Sequence, residues 1–354
     1  MNRSRTVNQY SLAAVAFVSL LLYVIVQRYA IETVIHPGTE IMKRAVDRTE
    51  QSVRVIRDEK IRRGLLEQTD AVRMNYPLIG GEYSEITTTL GSYEAKIASS
   101  NPEFAALVVR TLLDHGIDST QPVGVTLSGS FPALGVSVLC ALEELNITPV
   151  IVSSLGSSTY GANEPGMSWA DIEQLLVSRK ILSHRSLIVT PGADADTGGG
   201  LPEGGIDSIK QIAARTDSHL RIPSSLEDAV MIRESIMTAH RIAMLINIGG
   251  NHAILGNCVH ASSIPNGFHD LLESCREPER GLLMRISEKK IPLFHLLNIR
   301  ELARQYEIEE SGANVVDSSR IYYAQTHRHI FITLSLMIIT GVLIAVSFLK
   351  PLRR

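Results

Sequence analysis

Three short stretches hold the side chains with which this chain could do chemistry: Ser128-Gly129-Ser130, the glycine-dense run from Asp194 to Glu203, and Asn251-His252. A nucleophilic arrangement uses Ser130 or Ser128 as the attacking hydroxyl and His252 as its base, because a free hydroxyl is a poor nucleophile near neutral pH. Asp194, Asp196 or Glu203 would orient the imidazole, Asp196 being the member set beside Ser130 and His252, and loop amides would hold the oxyanion. Against this, Ser-Gly-Ser lacks the Gly-x-Ser-x-Gly spacing, and a serine ahead of a helix often only caps it. A metal reading takes Asp194, Asp196 and His252 as ligands of a hard divalent cation. Turns use Asp for local hydrogen bonds just as readily, so no metal and no cofactor is assigned. A third reading needs no triad. Hydroxyls and amides of Ser128, Gly129, Ser130, Ser157, Ser158, Gly199 and Gly200, with Asp194, Glu203, Asn251 and His252 around them, would grip a carboxylate or phosphate. The free amides and dipole of a helix N-terminus favour such an anion.

The elements that must position these residues alternate in type. Val123, Val125 and Leu127 form an apolar run that ends at Ser128, and Pro132 then suits a first helical turn. Leu134, Val138, Leu142 and Leu145 repeat with helical spacing, and Val150-Ile151-Val152 is a second apolar run, breaking into residues 153–158. That order is a βαβ unit. Further strands are expected at 186–190, 243–248 and 291–297, with helices at 102–116, 169–180, 206–215, 226–240 and 298–306. The fold class is therefore α/β, a doubly wound and mostly parallel sheet. In such sheets ligands bind outside the carboxyl ends of the strands, so the loops named above should meet along one edge.

Outside this body, two uncharged runs read as transmembrane helices, at residues 10–27 and 329–349. A tail over 1–9, a membrane-proximal helical stalk over 28–75, the α/β body over 76–328 and a basic tail over 350–354 complete the expected organisation. The stalk segment reads equally as a solvated helix packed on the body. Arg3 and Arg5, with Lys350, Arg353 and Arg354, suit cytoplasmic termini and an extracytoplasmic body at the cell membrane, although Arg28, Lys43, Arg44, Arg320 and Arg328 weigh the other way. A net charge of -3 argues against a nucleic-acid partner. Cys140 reads as a packed core thiol, and a disulfide between Cys258 and Cys275 is left open.

The stretches GEYSEITTTLGSYEAKIASSNPEFAALVVR, TLSGSFPALGVSVLCALEEL, SSLGSSTYGANEPGMSWADIE and INIGGNHAILG resemble the poly-γ-glutamate system protein family over roughly residues 83–306. Gly135 departs from the pattern, standing where that family leads one to expect asparagine. The resemblance implies a membrane-anchored component of a capsule-polymer biosynthesis or export system in the cell envelope. Its implied partners are poly-γ-glutamate or another anionic polymer, membrane synthase or export subunits, and the lipid bilayer. It brings no catalytic residues with it. Binding of the polymer or its synthase at the strand-end loops is the first expectation. A hydrolase or transferase using Ser130 and His252 on the γ-glutamyl chain is the alternative.

Overall fold

The structure is a computed structural model that describes residues 9–29, 31–257, 264–272, 280–310, 320–327 and 330–349. Cys258, Cys275 and the terminal tails lie outside the described residues. In chain order the elements are α1 (Gln9–Tyr29), β1 (Ile31–Ile35), α2 (Thr39–Arg62), α3 (Ala71–Asn75), α4 (Tyr93–Ser99), α5 (Glu103–Asp114) and β2 (Val123–Ser128). They continue with α6 (Pro132–Glu144), β3 (Pro149–Ser154), α7 (Trp169–Ser178), β4 (Ile188–Thr190), α8 (Gly205–Arg215), α9 (Leu226–Ala239) and β5 (Met244–Ile248). The last are α10 (His252–Leu255), β6 (Gly267–His269), α11 (Leu282–Glu288), β7 (Leu293–Leu296), α12 (Ile299–Tyr306), β8 (Tyr323–His327) and α13 (Ile330–Leu349).

Two compact units divide the chain. The larger runs from Pro37 to Tyr322 and holds a sheet in the order β4-β3-β2-β5-β7-β6. Every neighbouring pair is parallel except β6 with β7. Starting at β2, the chain winds outward through β3 and β4, then returns to lay β5 on the other side of β2. Such a reversal leaves a crevice at the carboxyl ends of β2 and β5. The register sets Ser128 opposite Ser154, Ser154 opposite Thr190, and Leu127 opposite Ile248. β2 is buried along its whole length, which is why it reads as a near-continuous apolar run rather than an alternating one.

Pro132 through Leu142 of α6 is buried on all sides, because α2 and α5 pack on α6. The buried positions of α2 are Thr39, Met42, Ala45, Val46, Thr49, Ser52 and Ile56, followed by Glu59 and Lys60. This is the 3.6-residue stripe of a helix with one face in the core. Met42 and Ile56 are fully buried, each contributing about 1.5–3 kcal/mol. Of the two readings of the stalk segment, the structure shows the packed one for residues 39–62.

The smaller unit pairs β1 with β8 antiparallel, Ile31 opposite His327 and Ile35 opposite Tyr323, and packs α1 on α13. Here the expectation of transmembrane helices flanking the body, and the cell-membrane placement built on it, must be corrected. Among the described residues no helix is long and apolar enough to cross a membrane.

Candidate functional site

The strand-end loops do meet, and backbone hydrogen bonds tie them together. Gly129 N donates to Ser154 O at 3.0 Å, and Ala162 N donates to Gly129 O at 2.7 Å. Leu155 N and Gly156 N donate to Thr190 O and Pro191 O, joining the second loop to the third. Asn251 Nδ2 then reaches both Ser154 Oγ and Asp196 Oδ1 at 3.1 Å. A segment that sequence reasoning did not place there, residues 84–91, covers the same edge. Its Thr88 N donates to Ser157 O, and its Ile86 O and Thr89 O accept from Ser157 N and Thr159 N. Gly161 permits this crowding, since a Cβ there would stand 2.3 Å from Ser157 Oγ and 2.7 Å from Gly129 O.

Within the cluster, the sequence-predicted catalytic residues do not form a triad. His252 Nδ1 accepts the Ala195 amide at 3.1 Å, so Nε2 carries the proton and donates to Asn257 Oδ1 at 2.7 Å. Both imidazole nitrogens are thereby occupied by loop atoms, and neither meets a serine. Asp196 is fully buried, and Arg233 Nη1 lies 2.6 Å from its Oδ2 while Thr190 Oγ1 donates to its Oδ1 at 2.9 Å. Ala193, Ala195 and Asp196 all adopt left-handed backbone angles, with φ of 61°, 53° and 62°, a conformation that costs non-glycine residues energy and needs outside support. The buried ion pair gives that support. Asp194, Gly200 and Glu203 are exposed, and Gly199 is half-buried. Among the described residues, no group of three or more His, Cys, Asp or Glu side chains converges as a metal-ligand set.

The donors meant for an anion are largely used within the loops. Ser130 N donates to Ser128 Oγ at 3.3 Å, Ser158 N to Ser130 Oγ at 3.0 Å, and Ser157 Oγ to Ser158 O at 3.0 Å. What the edge holds instead is Lys96 of α4, only 3% exposed. Its Nζ lies 2.8 Å from Ser158 Oγ, donates to Ser130 O, and sits 3.9 Å above the Phe131 ring. No carboxylate among the described residues pairs with it, and burial pushes its amine down to about 7.

Cationic groups open to solvent lie elsewhere, along α2. Arg44 and Arg48 both bind Glu144 at the end of α6, at 2.9 and 2.6 Å. Toward the other end of α2, Arg62 and Arg63 both bind Glu59, at 2.5 and 2.8 Å, and Arg63 also reaches Asp171 at 3.3 Å. Lys60, buried, pairs with Glu164 at 2.5 Å, just beyond the Ser154–Asn163 loop. Between α2 and the end of α7 run two clefts of about 510 and 460 Å³ that share Arg179. From Arg44 to Arg63 the helix covers ~29 Å. The cleft walls carry seven basic side chains against three acidic ones, in a chain whose net charge is -3. Arg179 and Lys180 are exposed and have no carboxylate partner among the described residues.

Two of these residues differ in how legible they were. Arg233 falls on the apolar stripe Leu226, Val230, Arg233, Met237, and a charge on such a stripe signals a buried partner. Lys96 sits in a short helix among alanines and serines, with no stripe to betray its burial. In comparisons with family models, curated proteins and solved structures, nothing matches this chain.

Proposed function

We propose that this chain is a binding component that handles an acidic polymer of the poly-γ-glutamate kind, holding it along the cleft between α2 and α7. One observation carries the reading: two of the three carboxylates on the cleft walls are each shared by two guanidiniums, Glu144 by Arg44 and Arg48. Glu59 is shared in the same way by Arg62 and Arg63. Each such site retains positive charge, and Arg179 and Lys180 add two charges that pair with no carboxylate among the described residues. Guanidiniums match carboxylates in a planar, two-point geometry. A linear polymer with a carboxylate on every unit can satisfy many of them at once. The resemblance of the 83–306 region to proteins of poly-γ-glutamate systems supports the same ligand class.

Fluorescence anisotropy with labelled poly-γ-glutamate tests this on the full chain. Reversing Arg179→Glu and Lys180→Glu together should weaken binding at least tenfold. Raising salt should weaken the wild type, because exposed charges are screened within ~8 Å at physiological ionic strength. Both side chains are exposed, so the fold should hold to within about 0.5 kcal/mol. Unchanged affinity in the folded double variant would remove the cleft from the account.

A further inference from the structure

We propose that Ser158 and Lys96 form a nucleophile–base pair that cleaves an amide or ester bond of an acyl substrate. The pair goes beyond polymer binding and rests on separate residues. Geometry supplies the argument. Lys96 Nζ is 2.8 Å from Ser158 Oγ, within the reach needed for proton transfer. Its second contact, with Ser130 O, and its place above Phe131 fix the amine's direction.

A structural lysine is ordinarily ion-paired when buried, as Lys60 is with Glu164. Lys96 is buried to the same degree, and among the described residues it meets no carboxylate but the Ser130 carbonyl, the Ser158 hydroxyl and the Phe131 ring. Burial disfavours the charged form and pushes Lys96 down to about 7, so near neutral pH a share of the amine is neutral and able to accept a proton. The half-exposed Ser130, whose Oγ accepts the Ser158 amide, marks the side open to solvent.

In the first half-reaction the neutral Lys96 takes the Ser158 hydroxyl proton as Oγ bonds to the substrate's carbonyl carbon. The bond to the amine or alcohol leaving group then breaks, and the Lys96 ammonium returns the proton to that group. In the second half-reaction water attacks the acyl-serine and gives its proton to Lys96. The carboxylic acid leaves, and Ser158 recovers its hydrogen.

The test uses the full chain and a fluorophosphonate probe, followed by peptide mass mapping. A single adduct at Ser158 is expected, forming about tenfold faster at pH 8 than at pH 6, as the neutral fraction of a base with a pKa of about 7 requires. Ser158→Ala should abolish the adduct, and Lys96→Met should slow it at least a hundredfold. Should Lys96→Met fail to fold, the pH profile and Ser158→Ala decide the matter. A pH-independent rate, an adduct at another residue, or no adduct on folded wild type would overturn the proposal. None of these outcomes depends on the α2 cleft, so the two readings fail separately.

Discussion

Arg233 and Asp196 face each other with 2% and 0% of their side chains exposed. Neither is positioned to touch a substrate; together they pin the 193–196 turn against Thr190 and Asn251. Removing one member leaves the other charged and dry, and breaking such pairs costs about 3–5 kcal/mol. Arg233→Met should therefore lower unfolding free energy by that amount in a denaturant titration. Adding Asp196→Asn should restore part of it. A loss below about 1 kcal/mol, the scale of an exposed pair, would show that the turn is held by other means. Asp196 was singled out in the sequence as a strand-end loop carboxylate able to orient His252, and that placement cannot distinguish a carboxylate aimed at an imidazole from one aimed at an arginine 37 positions away. That distinction is made by the crossing of α9 over the sheet, which local spacing does not encode.

At the scale of elements, α6 shows how one small side chain sets a packing distance. A Cβ on Gly135 would lie 2.7 Å from Cη2 of the fully buried Trp169. In an open helix, Gly→Ala gains about 0.8–1.0 kcal/mol. Here overpacking should cost about 1–3 kcal/mol, so Gly135→Ala is expected to destabilise, read as a lower denaturation midpoint with wild-type slope. A stabilised variant would mean that α6 and α7 can separate freely. The asparagine expected at this position on the family resemblance would need more room still. The parallel strands were legible because their burial on both faces leaves continuous apolar runs. β6 was not: it has three residues and begins at Gly267 with φ of 96°, too short for any period to register. That the carboxyl-edge loops meet was legible because each follows a strand. The covering segment 84–91 was not, since it joins them through backbone bonds that any side chain permits.

For the molecule as a whole, charge is distributed unevenly. A chain of net charge -3 gathers its guanidiniums on the solvent side of α2, while the same helix buries Met42, Ala45 and Ile56. Sequence reading caught the charged and apolar residues of this segment but left a stalk and a helix packed on the body equally open. The periodic stripe is the same whether a helix packs on a partner or on its own body, so only the three-dimensional structure decides. The apolar runs at either end posed a similar problem: composition alone suggested membrane spans, whereas among the described residues no helix is long and apolar enough for one. The most direct check on the polymer-binding claim is zero-length carbodiimide coupling of poly-γ-glutamate carboxylates to amines of the full chain, mapped by mass spectrometry. The account predicts coupling at Lys180, in the cleft beside Arg179, and its suppression by high salt. Coupling confined to Lys210 or Lys289, with Lys180 unmodified, would contradict it.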